Sequence, residues 1–308
     1  MSQIESTYKA VDVEETIDIY FYRPLGYGIA KACQALRMTP NVVTIVSIFI
    51  GVAAGRLFYY QDIALNAWGI LCWVIADLLD SVDGQLARMT DHKSKFGRIL
   101  DGFGGNIIFT SIYLHLGARL VNSGYSWWIF LAVVGGAFSH SVQSALADYY
   151  RNAYLKFVID PKKSELDRSE EIRQEYLATS FANSPMRKFL LFIYLNYTVE
   201  QETFSKNFQK LRTRVEEKFG DAIPGWFRDE YRRLNKPLMK YYAILTTNTR
   251  MIVLSICVLV GQPVWYLFTE IVIINIVMIA VTRRQENISA GLVGEIESHP
   301  AVAEGITV

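Results

Sequence analysis

Cysteine is scarce in this chain, with three residues among 308. Cys33, Cys72 and Cys257 lie far apart, without the short spacings that metal sites and small disulfide frameworks use. Cys72 and Cys257 also fall inside apolar runs, where a free thiol packs as a small hydrophobic side chain. The sequence therefore predicts buried thiols. It argues against a fold that is stabilised by disulfide bonds or by a metal ion with cysteine ligands.

An excess of basic residues is also missing, because the formal net charge is only +1. A nucleic-acid-binding protein usually carries a clear basic excess, so we expect no nucleic-acid partner. The N-terminal stretch "MSQIESTYKAVDVEETIDIYF" is polar and acidic. A secretory signal peptide would have an apolar centre there, so none is expected.

Apolar residues are abundant, at 51% of the chain, although 20% of the residues are charged. The two fractions are compatible if the charges are segregated from long apolar segments. A membrane-spanning helix needs roughly 20 mostly apolar residues, and about six segments meet this criterion. They are Val42–Tyr60, Ile63–Leu79, Ile99–Leu120, Trp127–Leu146, Tyr242–Val260 and Val264–Val281. The fold class predicted is an all-α, polytopic membrane protein.

The distribution of Lys and Arg over the connections predicts the orientation. The segment before the first span, the second and fourth connections and the C-terminal tail are rich in these residues, whereas "QDIA" and "GQP" contain none. Basic connections stay on the cytoplasmic side of a membrane. We therefore expect an integral protein of the cell (inner) membrane with both termini in the cytoplasm.

Five regions follow from these segments. Residues 1–41 form the cytoplasmic N-terminus, in which "DIYFYRPLGYGIAKACQAL" has the pattern of an amphipathic helix lying in the membrane interface. Residues 42–151 contain four spans and residues 241–282 contain two. Residues 152–240 are predicted to be a helical cytoplasmic insertion, and residues 283–308 a cytoplasmic tail.

The most informative stretch is "DSVDGQLARMTDHKSKFGRILDGFGGN", residues 80–106, which directly follows an apolar run. Asp80 and Asp83 lie about 60° apart on one helix face, and Asp101 lies near the start of the next predicted span. Such carboxylates either pair with Arg88 and Arg98 as helix caps or bind a hard divalent cation. We predict the cation site, because ionisable groups inside a helical bundle are usually functional.

The spacing Asp80-x-x-Asp83-Gly84-x-x-Ala87-Arg88, eight residues, Gly97-x-x-x-Asp101 resembles the signature of the CDP-alcohol phosphotransferase (CDP-alcohol phosphatidyltransferase) family. The stretch "TPNVVT" at residues 39–44 and the six-span layout extend this resemblance. It implies a transfer that depends on Mg²⁺ or Mn²⁺, in phospholipid biosynthesis. A CDP-alcohol, often CDP-diacylglycerol, gives its phosphoalcohol group to an acceptor alcohol, and CMP leaves. It also implies a homodimer in the membrane.

The resemblance assigns roles to individual positions. Asp80, Asp83 and Asp101 correspond to metal ligands. The positions that correspond to donor-binding residues are Asn41, Thr44, Gly84, Arg88, Ser94 and Gly97. The identity of the acceptor alcohol is not implied.

The chain departs from the family where a fourth aspartate, the usual general base, is expected. Gly105 occupies that position, and Asn106 follows one residue late. Either another residue supplies the base, for which the candidates are Asp77, Asp91 and His140, or Asp101 serves as both ligand and base. The alternative function is a catalytically silent protein that binds the nucleotide or lipid. We predict an active enzyme, because the rest of the signature is present.

Two weaker groups of residues are candidates for acceptor binding. Each is equally explained by contacts between helices or by anchoring at the membrane surface. The first group is His140, Gln143, Asp148, Arg151 and Arg250, and the second is Lys93, Lys95 and Arg98.

Overall fold

The structure is a computed structural model that describes residues 10–91, 95–220 and 222–298. Every regular element in these ranges is helical. The first helices are α1 (Arg23–Ala35), α2 (Pro40–Phe58), α3 (Ile63–Met89), α4 (Lys95–Asn122) and α5 (Ile129–Tyr154). The remaining helices are α6 (Ser169–Ala178), α7 (Pro185–Thr203), α8 (Lys206–Phe219), α9 (Gly225–Ile244), α10 (Thr247–Leu259), α11 (Val264–Phe268) and α12 (Asn275–Ser298). Turns of π-helix precede α1 at Asp18–Tyr22, follow α5 at Leu155–Ile159 and join α11 to α12 at Thr269–Ile274.

Local sequence signals explain where the first long helices begin. Thr39 is extended and Pro40 is the first residue of α2, a position that suits proline because its missing N–H would have no partner there. The Asp62 side chain caps α3 by accepting a hydrogen bond from the Leu65 backbone N–H at 2.9 Å. These two starts set the position of the residues that follow on α2 and α3.

Five helical stretches of the described residues are long and apolar enough to cross a membrane. They are Pro40–Phe58, Ile63–Met89, Ile129–Ile159, Gly225–Leu259 and Val264–Ser298. The prediction of a polytopic, all-α membrane protein is confirmed, although one of the six predicted spans is not among these five. That segment, residues 99–120, lies in α4, which is one continuous helix. Its run of apolar residues is interrupted by Asp101, Asn106 and His115.

The helix α3 continues well beyond the predicted end of its span at Leu79. It reaches Met89 without a break, so Asp80 and Asp83 lie on the same helix as the apolar residues before them. The helix α4 begins at Lys95 and carries Asp101 in its second turn. The carboxylates therefore lie near the ends of two long helices rather than in a loop.

The helix α2 packs against both α3 and α4, and glycines allow the close approach. A Cβ atom at Gly55 would lie 2.5 Å from Ser111 Oγ and 2.9 Å from the Ile112 backbone nitrogen. Because a backbone atom is one of these neighbours, a side chain at this position would push α2 and α4 apart. Nearer the start of α2, Thr44 donates a hydrogen bond to Asp83 of α3.

The segment between α5 and α9 is built into the protein core. The largest apolar cluster combines residues of α5, α8, α9 and α12, including Tyr150, Phe208, Tyr231 and Leu292. In a separate cluster, Ile99 of α4 packs with buried leucines of α7. The helices α9 and α12 run through residues 240 and 282, where the sequence suggested region boundaries.

Candidate active site

Three carboxylates meet where α3 and α4 lie side by side. One oxygen each from Asp80, Asp83 and Asp101 lies within 4.8 Å of the others. Asp83 is 6% exposed, Asp101 is half-buried and Asp80 is exposed to solvent. Spacing on one helix accounts for Asp80 and Asp83, but only the packing of α4 brings Asp101 to them.

This arrangement fits a divalent cation. Bonds from Mg²⁺ or Ca²⁺ to oxygen are roughly 2.0–2.6 Å long, so two ligands of one ion lie at most about 5 Å apart. The separation of the three aspartate oxygens, 4.8 Å or less, satisfies this limit. Carboxylate oxygens are also the ligands that hard cations prefer. Asp80, Asp83 and Asp101 would therefore hold the ion.

Thr44 and Arg88 lie against the same carboxylates. The Thr44 hydroxyl, which is buried, donates a hydrogen bond to Asp83 Oδ2 at 2.5 Å. The Arg88 guanidinium lies over Gly84, where an added Cβ atom would be 3.3 Å from Arg88 Nη2. Arg88 Nε and Nη2 are buried and have no hydrogen-bond partner among the described residues. An arginine with unused N–H donors beside a candidate metal site is suited to bind a phosphate oxygen.

The three aspartates and Arg88 line one polar cavity of about 310 Å³, whereas Thr44 does not line it. Its lining includes Asp80, Asp83, Gly84, Arg88 and Asp101. The lining also contains two further residues of α3 and residues from three other parts of the chain. They are Glu15, Asp18, Tyr22, Arg23, Asp77, Ser81, Ser144, Asp148, Arg151, Thr246, Thr247 and Asn248.

The other predicted donor-binding positions are placed differently. Asn41 lies in the first turn of α2 and Gly97 in the first turn of α4, and neither lines the cavity. Ser94 and Lys93 lie outside the described residues. Apart from the backbone of its own helix and its chain neighbours, no atom of the described residues lies within 4 Å of the position that a Cβ would take at Gly105. Asn106 is exposed and its side-chain amide donates to the Gly102 carbonyl at 3.1 Å, within its own helix.

Of the three candidates for an alternative base, only Asp77 lines the cavity. His140 is buried against Phe109, with ring centroids 3.9 Å apart, and lies 3.4 Å from the Tyr113 hydroxyl. Asp91 is exposed after the end of α3, where its φ of 54° marks a turn. Asp77 is thus the candidate that the fold brings to the three aspartates.

The weaker acceptor-binding candidates separate into two groups. Asp148 and Arg151 line the cavity, whereas Arg250 and Gln143 form a buried network away from it. Arg250 Nε lies 3.1 Å from Glu270 Oε1, and both side chains are fully buried. Because an ion pair without solvent needs both partners, this network ties α10 to the π-helical turn before α12.

Lys95 and Arg98 are engaged with the segment that follows α5. Lys95 Nζ lies 2.5 Å from Glu175 Oε2, and Arg98 Nη2 lies 2.7 Å from Asp167 Oδ2. Neither side chain lines the cavity. Their charges hold α4 against the neighbouring helices.

Glu15 and Asp18 were not singled out from the sequence. Asp18 begins the stretch that is predicted to be an interfacial helix, and Glu15 lies in the polar, acidic residues before it. A signal was present, because Glu15, Asp18 and Tyr22 follow the i, i+3, i+7 spacing of one helix face. Polar residues that repeat along one face of an otherwise apolar helix are compatible with a buried polar site and not only with a face exposed to solvent.

The composition of the site agrees with the comparison to known protein families. Residues 37–162 match the family model described as CDP-alcohol phosphatidyltransferase. This part of the chain is a CDP-alcohol phosphatidyltransferase domain. It contains α2 to α5, and with them the three aspartates, Thr44 and Arg88.

Individual relatives of the CDP-alcohol phosphatidyltransferase domain are synthases and a transferase. The chain is 44% identical over 73 residues to archaetidylinositol phosphate synthase of Pyrococcus horikoshii, covering 24% of this chain and 37% of that protein. It is 39% identical over 79 residues to CDP-diacylglycerol--serine O-phosphatidyltransferase of Helicobacter pylori, covering 24% and 30%. It is 25% identical over 134 residues to ceramide phosphoethanolamine synthase of Drosophila melanogaster, covering 39% and 34%. The chain thus spans about a third of the length of each of these relatives, and no solved structure matches it.

The cavity is larger than the CDP-alcohol phosphatidyltransferase domain alone provides. Glu15 and Asp18 precede residue 37, and Thr246, Thr247 and Asn248 lie far beyond residue 162. The domain therefore supplies the carboxylates and Arg88, while segments on either side of it complete the lining.

Proposed function

We propose that the chain is a membrane-embedded transferase that depends on Mg²⁺ or Mn²⁺. It moves a phosphoalcohol group from a CDP-alcohol, such as CDP-diacylglycerol, to the hydroxyl of an acceptor alcohol and releases CMP. The observation that carries the proposal is the meeting of Asp80, Asp83 and Asp101 with the unpaired donors of Arg88 in one cavity.

The chemistry balances within this cavity. The acceptor oxygen forms a bond to the β-phosphorus of the donor, and the bond from that phosphorus to the bridging oxygen breaks. The electron pair leaves with CMP, and the hydroxyl proton passes to a carboxylate of the lining, for which Asp101 and Asp77 are the candidates. A divalent ion, when bound, neutralises the diphosphate and polarises its phosphoryl oxygens.

The residues of the chain position the donor for this transfer. Arg88 binds a phosphate oxygen, and Gly84 leaves room beside it because a side chain there would press on the guanidinium. The Thr44 hydroxyl holds Asp83 in place as a ligand. Phosphoryl transfer depends mainly on such positioning and charge neutralisation, which supports this assignment of roles.

The placement of the site is part of the proposal. We infer that the cavity faces the cytoplasm from a cell membrane, with both termini on the same side, because Lys and Arg are concentrated in the connections at that end. We also propose a homodimer, as the family resemblance implies. Cross-linking in native membranes would test the dimer independently of the activity.

A second candidate function is a silent relative that binds the donor without transferring it. The observation that favours it is Gly105, which puts no carboxylate at the position of the usual base. Its expected behaviour differs from that of an enzyme, because nucleotide would bind and depend on the metal while no CMP would be released.

The experiment that tests the first proposal is an assay of the purified protein in lipid nanodiscs. CDP-diacylglycerol labelled in its CMP part is supplied with Mg²⁺, Mn²⁺ or EDTA and with a panel of acceptor alcohols. We expect CMP release that needs both a metal and an acceptor. Metal-dependent binding of the donor without release for any acceptor would instead support the silent relative.

A further inference from the structure

The cavity contains a second group of polar residues that comes from outside the aspartate motif. Glu15 and Asp18 lie just before α1, and Asn248 lies in the first turn of α10. We call Glu15, Asp18 and Asn248 the amide–carboxylate group. More than 220 residues separate its two parts in sequence, so only the fold brings them together.

The hydrogen bonds within this group determine which atoms are left for a ligand. Asn248 Nδ2 donates to Glu15 Oε2 at 2.9 Å and to Asp18 Oδ1 at 3.0 Å. Thr246 Oγ1 donates to Glu15 Oε1 at 2.5 Å. Both amide hydrogens of Asn248 are therefore used by carboxylates, which sets the orientation of the amide.

The oxygen of that amide accepts no hydrogen bond from the residues that the structure describes. Asn248 is 7% exposed, and its Oδ1 is buried without a hydrogen-bond partner among the described residues. A buried oxygen in this state is costly unless a ligand supplies a hydrogen. The group thus presents a carbonyl oxygen and two carboxylates, all of which accept hydrogen bonds and none of which donates one to a ligand.

The charge of the cavity lining also favours a cationic ligand. Its lining includes seven acidic side chains and three arginines. One of the arginines, Arg23, forms an ion pair at 2.9 Å with Glu14, which does not line the cavity. Divalent cations and the diphosphate of a CDP-alcohol have opposite charges that largely cancel, so the rest of the lining stays negative. Burial also raises the pKa of the Glu15 and Asp18 carboxyls, because it disfavours their charged forms. A cation between them would offset this cost of burying charge.

Three basic residues that a phosphorylated acceptor could use are engaged within the part of the chain that the structure describes. Lys95 pairs with Glu175 and Arg98 pairs with Asp167. Arg151, which does line the cavity, donates to the Val13 carbonyl oxygen at 2.5 Å. Beside Glu15 and Asp18, a phosphate group on the acceptor would meet two carboxylates, with Arg151 as the neighbouring cation.

We propose that the amide–carboxylate group binds the protonated amine of an amino-alcohol acceptor. The three N–H donors of a primary ammonium match the Glu15 carboxylate, the Asp18 carboxylate and the Asn248 carbonyl oxygen. The hydroxyl of the same small molecule then remains for the transfer at the aspartates. This inference rests on the proposed function, and it adds a binding site for the acceptor to the binding site for the donor.

The test compares acceptors that differ in one group, with the full-length protein in nanodiscs, Mg²⁺ and labelled CDP-diacylglycerol. The acceptors are 2-aminoethanol, 1,2-ethanediol, which replaces the amine with a hydroxyl, and glycerol 3-phosphate. We expect kcat/KM for 2-aminoethanol to exceed that for each of the others at least tenfold. A higher kcat/KM for the diol or for the phosphate would overturn the proposal.

Variants assign that selectivity to the residues named. Asp18→Asn should raise KM for 2-aminoethanol at least tenfold and reduce its advantage over 1,2-ethanediol, and Glu15→Gln is the second variant if the first does not fold. Glu217→Gln, at an exposed glutamate on α8, removes the same charge away from the cavity and should match the wild type. Unchanged selectivity in both cavity variants would show that the amine is not bound there.

A binding measurement separates this proposal from the proposed function. Labelled 2-aminoethanol is titrated by equilibrium dialysis in the presence of CDP and Mg²⁺. Saturable binding that Asp18→Asn or Glu15→Gln weakens would support the amine site even if no CMP is released with any acceptor. Absence of saturable binding in wild-type protein that still binds CDP would overturn the amine site alone.

Discussion

At the scale of single residues, Asp80 is the most accessible of the three aspartates. It is exposed, whereas Asp83 is buried beneath the Thr44 hydroxyl. Replacing Asp80 therefore removes a ligand while leaving the buried hydrogen bond in place. We predict that Asp80→Ala folds normally and loses metal-dependent CDP binding, measured by calorimetry with and without Mg²⁺.

A matched control for this change is Asp229→Ala, at an exposed aspartate on α9 that does not line the cavity. It should bind CDP as the wild type does. Equal CDP affinity in Asp80→Ala and the wild type, with both proteins folded, would contradict the metal site.

Gly105 is the second position where one residue separates alternatives. A Cβ atom has room there, because no neighbouring side chain or facing helix among the described residues lies within 4 Å of its position. If a missing base limited the wild type, Gly105→Asp would raise turnover by roughly 10²–10⁴-fold. We predict instead that CMP release is not improved, since the cavity already holds other carboxylates and an added negative charge repels the diphosphate.

The control for Gly105→Asp is Gly105→Ala, which adds a Cβ atom without a charge. It should retain wild-type turnover in the same CMP-release assay. An inert wild type together with an active Gly105→Asp would show that the chain has given up catalysis.

At the scale of helices, Glu216 of α8 connects several elements. Its carboxylate accepts a hydrogen bond from Lys156 at 2.7 Å and also binds Arg168 and Arg212. Burial acts to raise the pKa of Glu216, but the hydrogen bonds from Lys156 and Arg168 outweigh it and lower the pKa to about 2. The ion pairs thus join α8 to the end of α5 and to the segment before α6.

The pH dependence follows from this lowered pKa. A carboxyl with a folded pKa of about 2 and an unperturbed value of 4.5 contributes stability that is present above 4.5. That contribution is lost as the pH falls towards 2. We predict that Glu216→Gln lowers the melting temperature at pH 7 and that its difference from the wild type shrinks below pH 4.5, measured by thermal unfolding in detergent.

Glu217→Gln serves as the control, because Glu217 is an exposed neighbour that pairs only with the exposed Arg214 in the described structure. Exposed pairs contribute about 0–1 kcal/mol, so this variant should melt close to the wild type at every pH. A Glu216→Gln protein with the same pH profile as Glu217→Gln would show that the ion pairs do not stabilise the fold.

At the scale of the whole molecule, the segment after α5 and the membrane helices share one core. Phe208 of α8 is fully buried, and its ring contacts the rings of Tyr149, Tyr150 and Phe157. Truncating a buried phenylalanine costs about 3–5 kcal/mol. We predict that Phe208→Ala lowers the stability of the whole protein, with hydrogen exchange increased in α5 and α12 as well as in α8.

Phe204→Ala is the control, since Phe204 lies two residues before α8 and is 47% exposed. It should leave exchange in α5 and α12 unchanged. Faster exchange confined to α8 in Phe208→Ala would show that the segment folds as a separate unit.

The sequence by itself determined the features that depend on local spacing. The apolar segments are long enough to span a membrane, and Asp80 and Asp83 share one helix face, because both patterns follow from the pitch of a helix. The spacing of Asp80, Asp83 and Asp101 along the chain also carries the resemblance to the family. Only the tertiary structure decided which distant residues complete the cavity. Asn248 meets Glu15 across 233 positions, Arg250 turns away to Glu270, and Lys95 is bound to Glu175. Contacts between distant segments depend on how whole helices pack, and the spacing of residues along one helix does not show which residues of another helix they will meet.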